Sequence, residues 1–154
     1  MDNLEISLEK YSFFQGFPRE YIREIAAHAG IVQYKKGDIL FREGESADKF
    51  YLVIKGRVSI ETWVPHRGWV MIQTIEEGEM LGWSWLVPPY KYRFGARVLN
   101  KTEMYVFNGE MLRRQCEKDH GLGYDVMKRV LQAFIRRLEQ TRLQLLDIYG
   151  TRLK

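Results

Sequence analysis

The feature that most constrains the fold is a series of short β-favouring runs between Ile31 and Asn108, separated by glycine-containing turns. Glycine tolerates the positive φ that tight turns require, while β-branched and aromatic residues favour strands. The runs read IVQY, DILF, FYLVI, RVSIETWV, WVMIQTI, RFGARVL and EMYVFN. Short strands at such regular spacing predict a mainly β domain, either a sandwich, a barrel or a jelly roll.

Helical patterns flank this β region on both sides. Pro18 stands at a first helical position, apolar residues follow at helical spacing, and Gly30 closes the segment, which predicts a short amphipathic helix. After Gly123 the apolar residues recur at alternating steps of four and three, as in a heptad repeat. The seam consists of Met127, Leu131, Phe134, Leu138, Thr141, Leu145 and Ile148, with Thr141 as a polar interruption.

The length of the last helix predicts an intermolecular contact. From Tyr124 to about Tyr149 it would extend for about 40 Å, which is longer than a β domain of this size can cover. Part of the apolar stripe therefore needs a partner, and a homodimer is expected through Met127, Leu131, Phe134, Leu138 and Leu145. The alternative is a helix that folds back on its own β domain.

Composition excludes several classes of protein. The 154 residues, 45% hydrophobic and 29% charged, predict one soluble globular domain. The longest uncharged stretch, Met80–Tyr90, contains two prolines and is too short for a membrane span, so none is expected. The N-terminus has no apolar signal-peptide core and Cys116 is the single cysteine, which together predict a cytoplasmic protein.

The net charge of +4 comes from the C-terminal part, where residues 109–154 hold ten Lys and Arg against six Asp and Glu. A basic tail can meet nucleic acid, but basic residues spread along a helix are more typical of a solvated face.

The glycine pattern resembles the cyclic-nucleotide-binding domain of catabolite-activator-type (Crp/Fnr-like) regulators. The matching residues are Tyr34-x-x-Gly37-Asp38-Ile39-Leu40-Phe41-x-Glu43-Gly44-Glu45 and Phe50-Tyr51-Leu52-Val53-Ile54-x-Gly56-x-Val58. The resemblance implies an eight-stranded jelly roll (double-stranded β-helix) with flanking helices and a long C-terminal helix that often forms a dimer interface. On this resemblance we expect a single domain, 1–154, that consists of an N-terminal helical segment 1–30, a jelly roll 31–108 and C-terminal helices 109–150.

The resemblance also places a phosphate-binding cassette at residues 78–98. Gly78-Glu79-Met80-Leu81-Gly82 fits its beginning and Ala96-Arg97-Val98 its end. Trp83 stands where the family has the glutamate that binds the ribose hydroxyl, and Phe94 where it has the arginine that pairs with the phosphate. The predicted ligand-binding residues are therefore those of a degenerate cassette: Gly78, Leu81, Gly82, Trp83, Ser84, Trp85, Arg93, Phe94, Ala96 and Arg97.

Several uses of this cassette remain open. Arg93 or Arg97 could replace the missing arginine and allow cAMP or cGMP to bind. The aromatic residues could form a pocket for a small anionic or aromatic ligand, or an exposed loop that meets a protein partner or a membrane interface. They could also simply fill the nucleotide site and leave a ligand-free docking module.

Catalytic and metal-binding patterns are weak. Gly82-Trp83-Ser84-Trp85-Leu86 lacks the second glycine of a nucleophile elbow, and His28, His66 and His120 are too dispersed to predict a metal site. The six residues after Ile148 cannot build a recognition helix, so no DNA binding is expected of this chain alone. The sequence thus predicts a non-enzymatic regulatory or sensor module that signals through a dimerising C-terminal helix.

Overall fold

The computed structural model describes residues 3–152, with side chains for residues 4–150. Its strands are β1 Ala29–Tyr34, β2 Ile39–Phe41, β3 Lys49–Lys55, β4 Val58–Val64, β5 Gly68–Ile75, β6 Met80–Leu81, β7 Gly95–Val98 and β8 Thr102–Asn108. Its α-helices are α1 Asn3–Glu9, α2 Arg19–Ala27, α3 Gly109–Lys118 and α4 His120–Arg152, and two 3₁₀ helices cover Ser12–Phe14 and Trp83–Leu86.

The strands form two four-stranded antiparallel sheets, in the orders β1-β8-β3-β6 and β2-β7-β4-β5. This mainly β architecture with flanking helices and a long C-terminal helix confirms the predicted fold class. Each of the seven β-favouring runs overlaps one of these strands. The eighth, β6, has only two residues and is too short to produce a recognisable pattern.

The first predicted helix is correct in place but wrong at its end. Pro18, expected at the first helical position, is the N-cap of α2, and the helix stops at Ala27 with His28 as its C-cap. Gly30 is already part of β1, where it lies opposite Val106 of β8. Hydrogen bonding to β8 therefore ends the helix earlier than the glycine signal indicated.

The chain divides into two compact units, residues 1–115 and 116–154. In the first unit an aromatic core forms between the N-terminal segment and the sheet that contains β3 and β8. Phe50 and Phe107 lie opposite each other in the ladder and stack with ring centroids 4.7 Å apart. Phe13 and Phe14 of the first 3₁₀ helix are buried in the same core.

The second unit contains the whole of α4, and this helix presents two different apolar faces. Leu122, Val126 and Val130 recur every four residues and are buried. The predicted heptad seam lies on another face, where Met127, Leu131, Phe134, Leu138 and Leu145 are between 46% and 69% exposed. Among the described residues, no helix is long and apolar enough to cross a membrane.

Candidate functional site

Two glycine turns shape the beginning of the predicted cassette, and the second is at Gly82. Gly82 follows β6 with a φ of 93°, and it leads into the 3₁₀ helix Trp83–Leu86. A Cβ at this position would lie 3.2 Å from the carbonyl oxygen of Lys49 and 3.3 Å from Cα of Phe50. Both the left-handed conformation and the close approach to β3 therefore require glycine here. Gly78, with a φ of 81°, forms the turn before β6, and Leu81 is fully buried.

The two cassette tryptophans belong to the aromatic core. The rings of Trp83 and Trp85 stack on Phe50 at centroid distances of 5.3 and 5.1 Å, and Phe13 lies 5.2 Å from Trp83. Both side chains are buried, so the two tryptophans cannot belong to the exposed loop that was one of the alternatives. Ser84 lies half-buried between them. Neither indole Nε1 has a hydrogen-bond partner among the described residues. Both N–H groups are thus removed from water without a protein acceptor, which lowers the stability of the fold.

A second aromatic stack holds the end of the cassette loop. Tyr92 stacks on Phe41 of β2 at a centroid distance of 3.8 Å and donates a hydrogen bond of 2.6 Å to the carbonyl oxygen of Lys49. Burial raises the pKa of Tyr92 to about 12 and also raises the pKa of its neighbour Tyr51. Neither Phe41 nor Tyr92 is among the predicted ligand-binding residues, although Tyr92 lies within the cassette, residues 78–98.

The loop between these stacks carries the exposed part of the cassette. Phe94 is 46% exposed. Arg93 is also exposed, and its Nη2 lies 3.5 Å from the carbonyl oxygen of Pro88 in the same loop. The structure therefore brings neither residue into the aromatic stacks.

Arg97 is held by a carboxylate of the neighbouring strand. In the β4–β7 ladder Arg97 lies opposite Ser59, and Ala96 lies opposite Ile60. Because side chains alternate along a strand, Arg97 faces away from the buried Ala96 and Ile60 and toward Glu61. Its Nε lies 3.4 Å from Oε2 of Glu61, whose Oε1 accepts a 3.4 Å hydrogen bond from the Ser59 hydroxyl.

Two residues of α3 that the sequence analysis missed fasten the cassette to the start of this helix. A Cβ on Gly109 would lie 2.6 Å from Cγ of Trp85, so only glycine fits there. One turn later, Arg113 donates from Nη1 to the carbonyl oxygen of Trp85 at 2.8 Å, and its guanidinium lies 3.9 Å from the centre of the Tyr90 ring. The sequence signal was Asn108-Gly109, which predicts a turn but not this close approach.

The other candidate chemistry is dispersed. His28, His66 and His120 are all exposed, and they lie after α2, in the β4–β5 turn and at the start of α4. Within residues 3–152 no three His, Cys, Asp or Glu side chains are grouped closely enough to hold a metal ion. The predicted cassette residues thus separate into a buried aromatic group, an exposed loop and the Arg97–Glu61 pair.

Comparison with known proteins identifies the family of this chain. Residues 31–119 match the cyclic nucleotide-binding domain family. Human cGMP-dependent protein kinase 2 is 29% identical over 76 residues, which cover 49% of this chain and 10% of the kinase. A CRP-like cAMP-activated global transcriptional regulator of Mycobacterium tuberculosis is 22% identical over 144 residues, 94% of this chain and 62% of the regulator.

The fold also matches solved structures. A candidate cyclic nucleotide-binding protein from Geobacter metallireducens superposes with a TM-score of 0.81 at 28% identity, covering 90% of this chain and 99% of that protein. The chain spans less than two thirds of the length of the kinase and of the regulator. The match over residues 31–119 nevertheless covers more than half of the chain and confirms the resemblance seen in the glycine pattern. The chain is therefore a member of the cyclic nucleotide-binding domain family.

Proposed function

We propose that this chain is a non-enzymatic regulatory module whose degenerate cassette is coupled to the C-terminal helices, and that these helices signal through a homodimer. The observation that carries the proposal is the attachment of Arg113 to the cassette. Because α3 holds both the backbone of Trp85 and the ring of Tyr90, a movement of the cassette would change the position of α3. The single cysteine supports a reducing, cytoplasmic setting for this module.

Two substitutions support a cassette that does not bind cyclic nucleotides in the family manner. The family glutamate is replaced by the buried Trp83, and the family arginine by the exposed Phe94. Removing one partner of a desolvated charge pair costs about 2–5 kcal/mol. This corresponds to about a 30-fold to several-thousand-fold loss of affinity. We therefore expect cAMP and cGMP to bind at least about 30-fold more weakly than they would to a cassette that keeps both residues.

Isothermal titration of the chain with cAMP and cGMP tests this part of the proposal. A matched pair of variants sharpens the experiment: Phe94→Arg restores the family residue, whereas Lys91→Arg adds a guanidinium elsewhere on the same exposed loop. Neither nucleotide should bind the unmodified chain or Lys91→Arg at micromolar concentrations. Micromolar binding to the unmodified chain would refute the degenerate cassette.

The exposed seam of α4 supports the dimer. Its six apolar residues follow the heptad spacing, and all six are exposed although each is large. In a coiled coil such residues pack into the holes of a facing helix. The parallel or antiparallel pairing of two copies of α4 would remove this stripe from water, which is the driving force we expect for association.

Sedimentation equilibrium tests the dimer. Leu138→Arg places a charge in the middle of the seam, whereas Gln132→Arg adds the same charge on a polar, exposed part of the same helix. We expect the unmodified chain and Gln132→Arg to be dimers at about 10 μM and Leu138→Arg to be a monomer. A chain that sediments as a monomer at 100 μM would contradict the dimer.

A further inference from the structure

A cavity on the β2-β7-β4-β5 sheet lies apart from the aromatic stacks of Trp83 and Trp85. Its volume is about 160 Å³, and its walls include Ile39, Phe41, Arg42, Glu61, Trp69 and Arg97. Apolar cavities of about 150 Å³ hold one benzene molecule. The space is therefore large enough for a single six-membered ring with a small substituent.

The charged groups of the cavity favour a monovalent anion. Arg97 uses Nε for its ion pair with Glu61, so its Nη1 and Nη2 donors take no part in that contact. Arg42 forms no ion pair with any residue that the structure describes. Two guanidinium groups against one carboxylate leave one surplus positive charge at the cavity. Guanidinium groups bind carboxylates through paired, charge-assisted hydrogen bonds.

The uncharged walls of the cavity favour a ligand with an aromatic ring. Trp69 is 47% exposed, and its indole is supported edge-to-face by Trp63 at a centroid distance of 5.4 Å. Ile39 and Phe41 add apolar walls, and at Gly95 a Cβ would come no closer than 3.8 Å to the Trp69 ring. An aromatic ligand can gain both burial and ring contacts against such a surface.

We propose that this cavity binds a monocyclic aromatic carboxylate, with its carboxylate on Arg97 and Arg42 and its ring against Trp69. The inference goes beyond the proposed regulatory function and requires neither the degenerate cassette nor the α4 dimer. The proposed ligand is smaller than a cyclic nucleotide and so differs in class from the cGMP and cAMP of the two named relatives.

Isothermal titration with four probes tests the chemistry of the ligand. Benzoate carries both features, benzamide lacks the charge, cyclohexanecarboxylate lacks the aromatic ring, and inorganic phosphate lacks the apolar part. We expect benzoate to bind with a submillimolar dissociation constant. Benzamide should bind at least about tenfold more weakly, since a charged hydrogen bond is lost. Cyclohexanecarboxylate should bind about 2- to 10-fold more weakly, because the ring contacts are lost.

Single substitutions test whether benzoate binds in this cavity. Arg97→Gln and Arg42→Gln should each weaken benzoate binding at least about tenfold. The matched control Arg67→Gln, in the exposed β4–β5 turn outside the cavity, should leave benzoate binding within twofold. Trp69→Leu should weaken binding more than Trp63→Leu, because only Trp69 lines the cavity.

Two results would overturn the proposal. One is the absence of benzoate binding at 10 mM, and the other is benzoate binding that neither Arg42→Gln nor Arg97→Gln weakens. Arg42 is exposed, so its variant remains informative even if Arg97→Gln disturbs the sheet. If benzoate does not bind in this cavity, the results expected from the nucleotide titration and from sedimentation do not change, because those experiments test other residues.

Discussion

Arg113 of α3 lies over the ring of Tyr90, with its guanidinium carbon 3.9 Å from the ring centroid. The same side chain donates a 2.8 Å hydrogen bond to the carbonyl oxygen of Trp85. One residue of a helix thus holds two points of the cassette that are five positions apart. The contact combines a cation–π interaction with a charge-assisted hydrogen bond, and both depend on the planar guanidinium.

We expect Arg113→Lys to loosen the cassette. A lysine keeps the charge but cannot both stack on Tyr90 and donate to the Trp85 carbonyl in the same geometry. Backbone amides of residues 85–92 should exchange with deuterium at least about fivefold faster, as expected from a loss of about 1 kcal/mol or more. Arg114→Lys, at an exposed neighbouring position, is the control. Unchanged exchange in Arg113→Lys would contradict a fastening role for this residue.

The ring of Trp85, rather than its indole N–H, should determine the stability of the aromatic core. Trp85→Ala leaves a large cavity and should lower the free energy of unfolding by about 3–5 kcal/mol. Trp85→Phe keeps a ring on Phe50 and removes a buried donor that has no partner among the described residues, so its cost should be below about 2 kcal/mol. Urea denaturation measures both. Equal losses for the two variants would contradict the prediction, because a phenyl ring on Phe50 would then preserve none of the stability that the indole provides.

Gly109 should tolerate no side chain. Gly109→Ala adds a Cβ 2.6 Å from Cγ of the buried Trp85, and overpacking of this kind costs about 1–3 kcal/mol even though alanine favours helices. Gly30→Ala is the matched control, because its Cβ would meet only Cγ1 of Val106 at 3.7 Å. In thermal unfolding, Gly109→Ala should have a lower midpoint than the unmodified chain, whereas Gly30→Ala should not. A midpoint equal to that of the unmodified chain would mean that Trp85 can move aside.

Alkaline pH should destabilise the fold through its buried tyrosines. The pKa of Tyr92 is raised to about 12 by burial, above its ordinary value of 10.0. Between these values the unfolded chain loses the tyrosine proton that the folded chain keeps. The contribution of Tyr92 to the free energy of unfolding is therefore fully present below pH 10 and is lost as pH rises toward 12. Urea midpoints at pH 8, 10 and 11 measure the decline. It should be shallower in Tyr92→Phe, and an identical decline in that variant would exclude Tyr92 as a cause.

The local signals of the sequence were sufficient for the fold class and the family. Glycines at Gly37, Gly44, Gly56 and Gly78 adopt positive φ at the turns that the pattern predicted. Such turn residues, the β-favouring runs and the change to a heptad period act over a few neighbouring residues. They can therefore be read directly from the order of the amino acids.

The same signals located the cassette but not the contacts of its side chains. The alternation along β7 turns Arg97 toward Glu61, 36 positions earlier in the chain. Trp85 reaches Phe50, and Arg113 reaches back to Trp85 across 28 positions. Each of these partners depends on strand register and on how the elements pack.

The sequence by itself determined that this chain forms a jelly roll of the cyclic nucleotide-binding type with a long, heptad-patterned last helix. Only the tertiary structure decided that Trp83 and Trp85 complete an aromatic core and that Arg97 pairs with a carboxylate beside an open cavity. The physical reason is that backbone preferences are local, whereas the environment of a side chain is created by residues that are distant in the sequence.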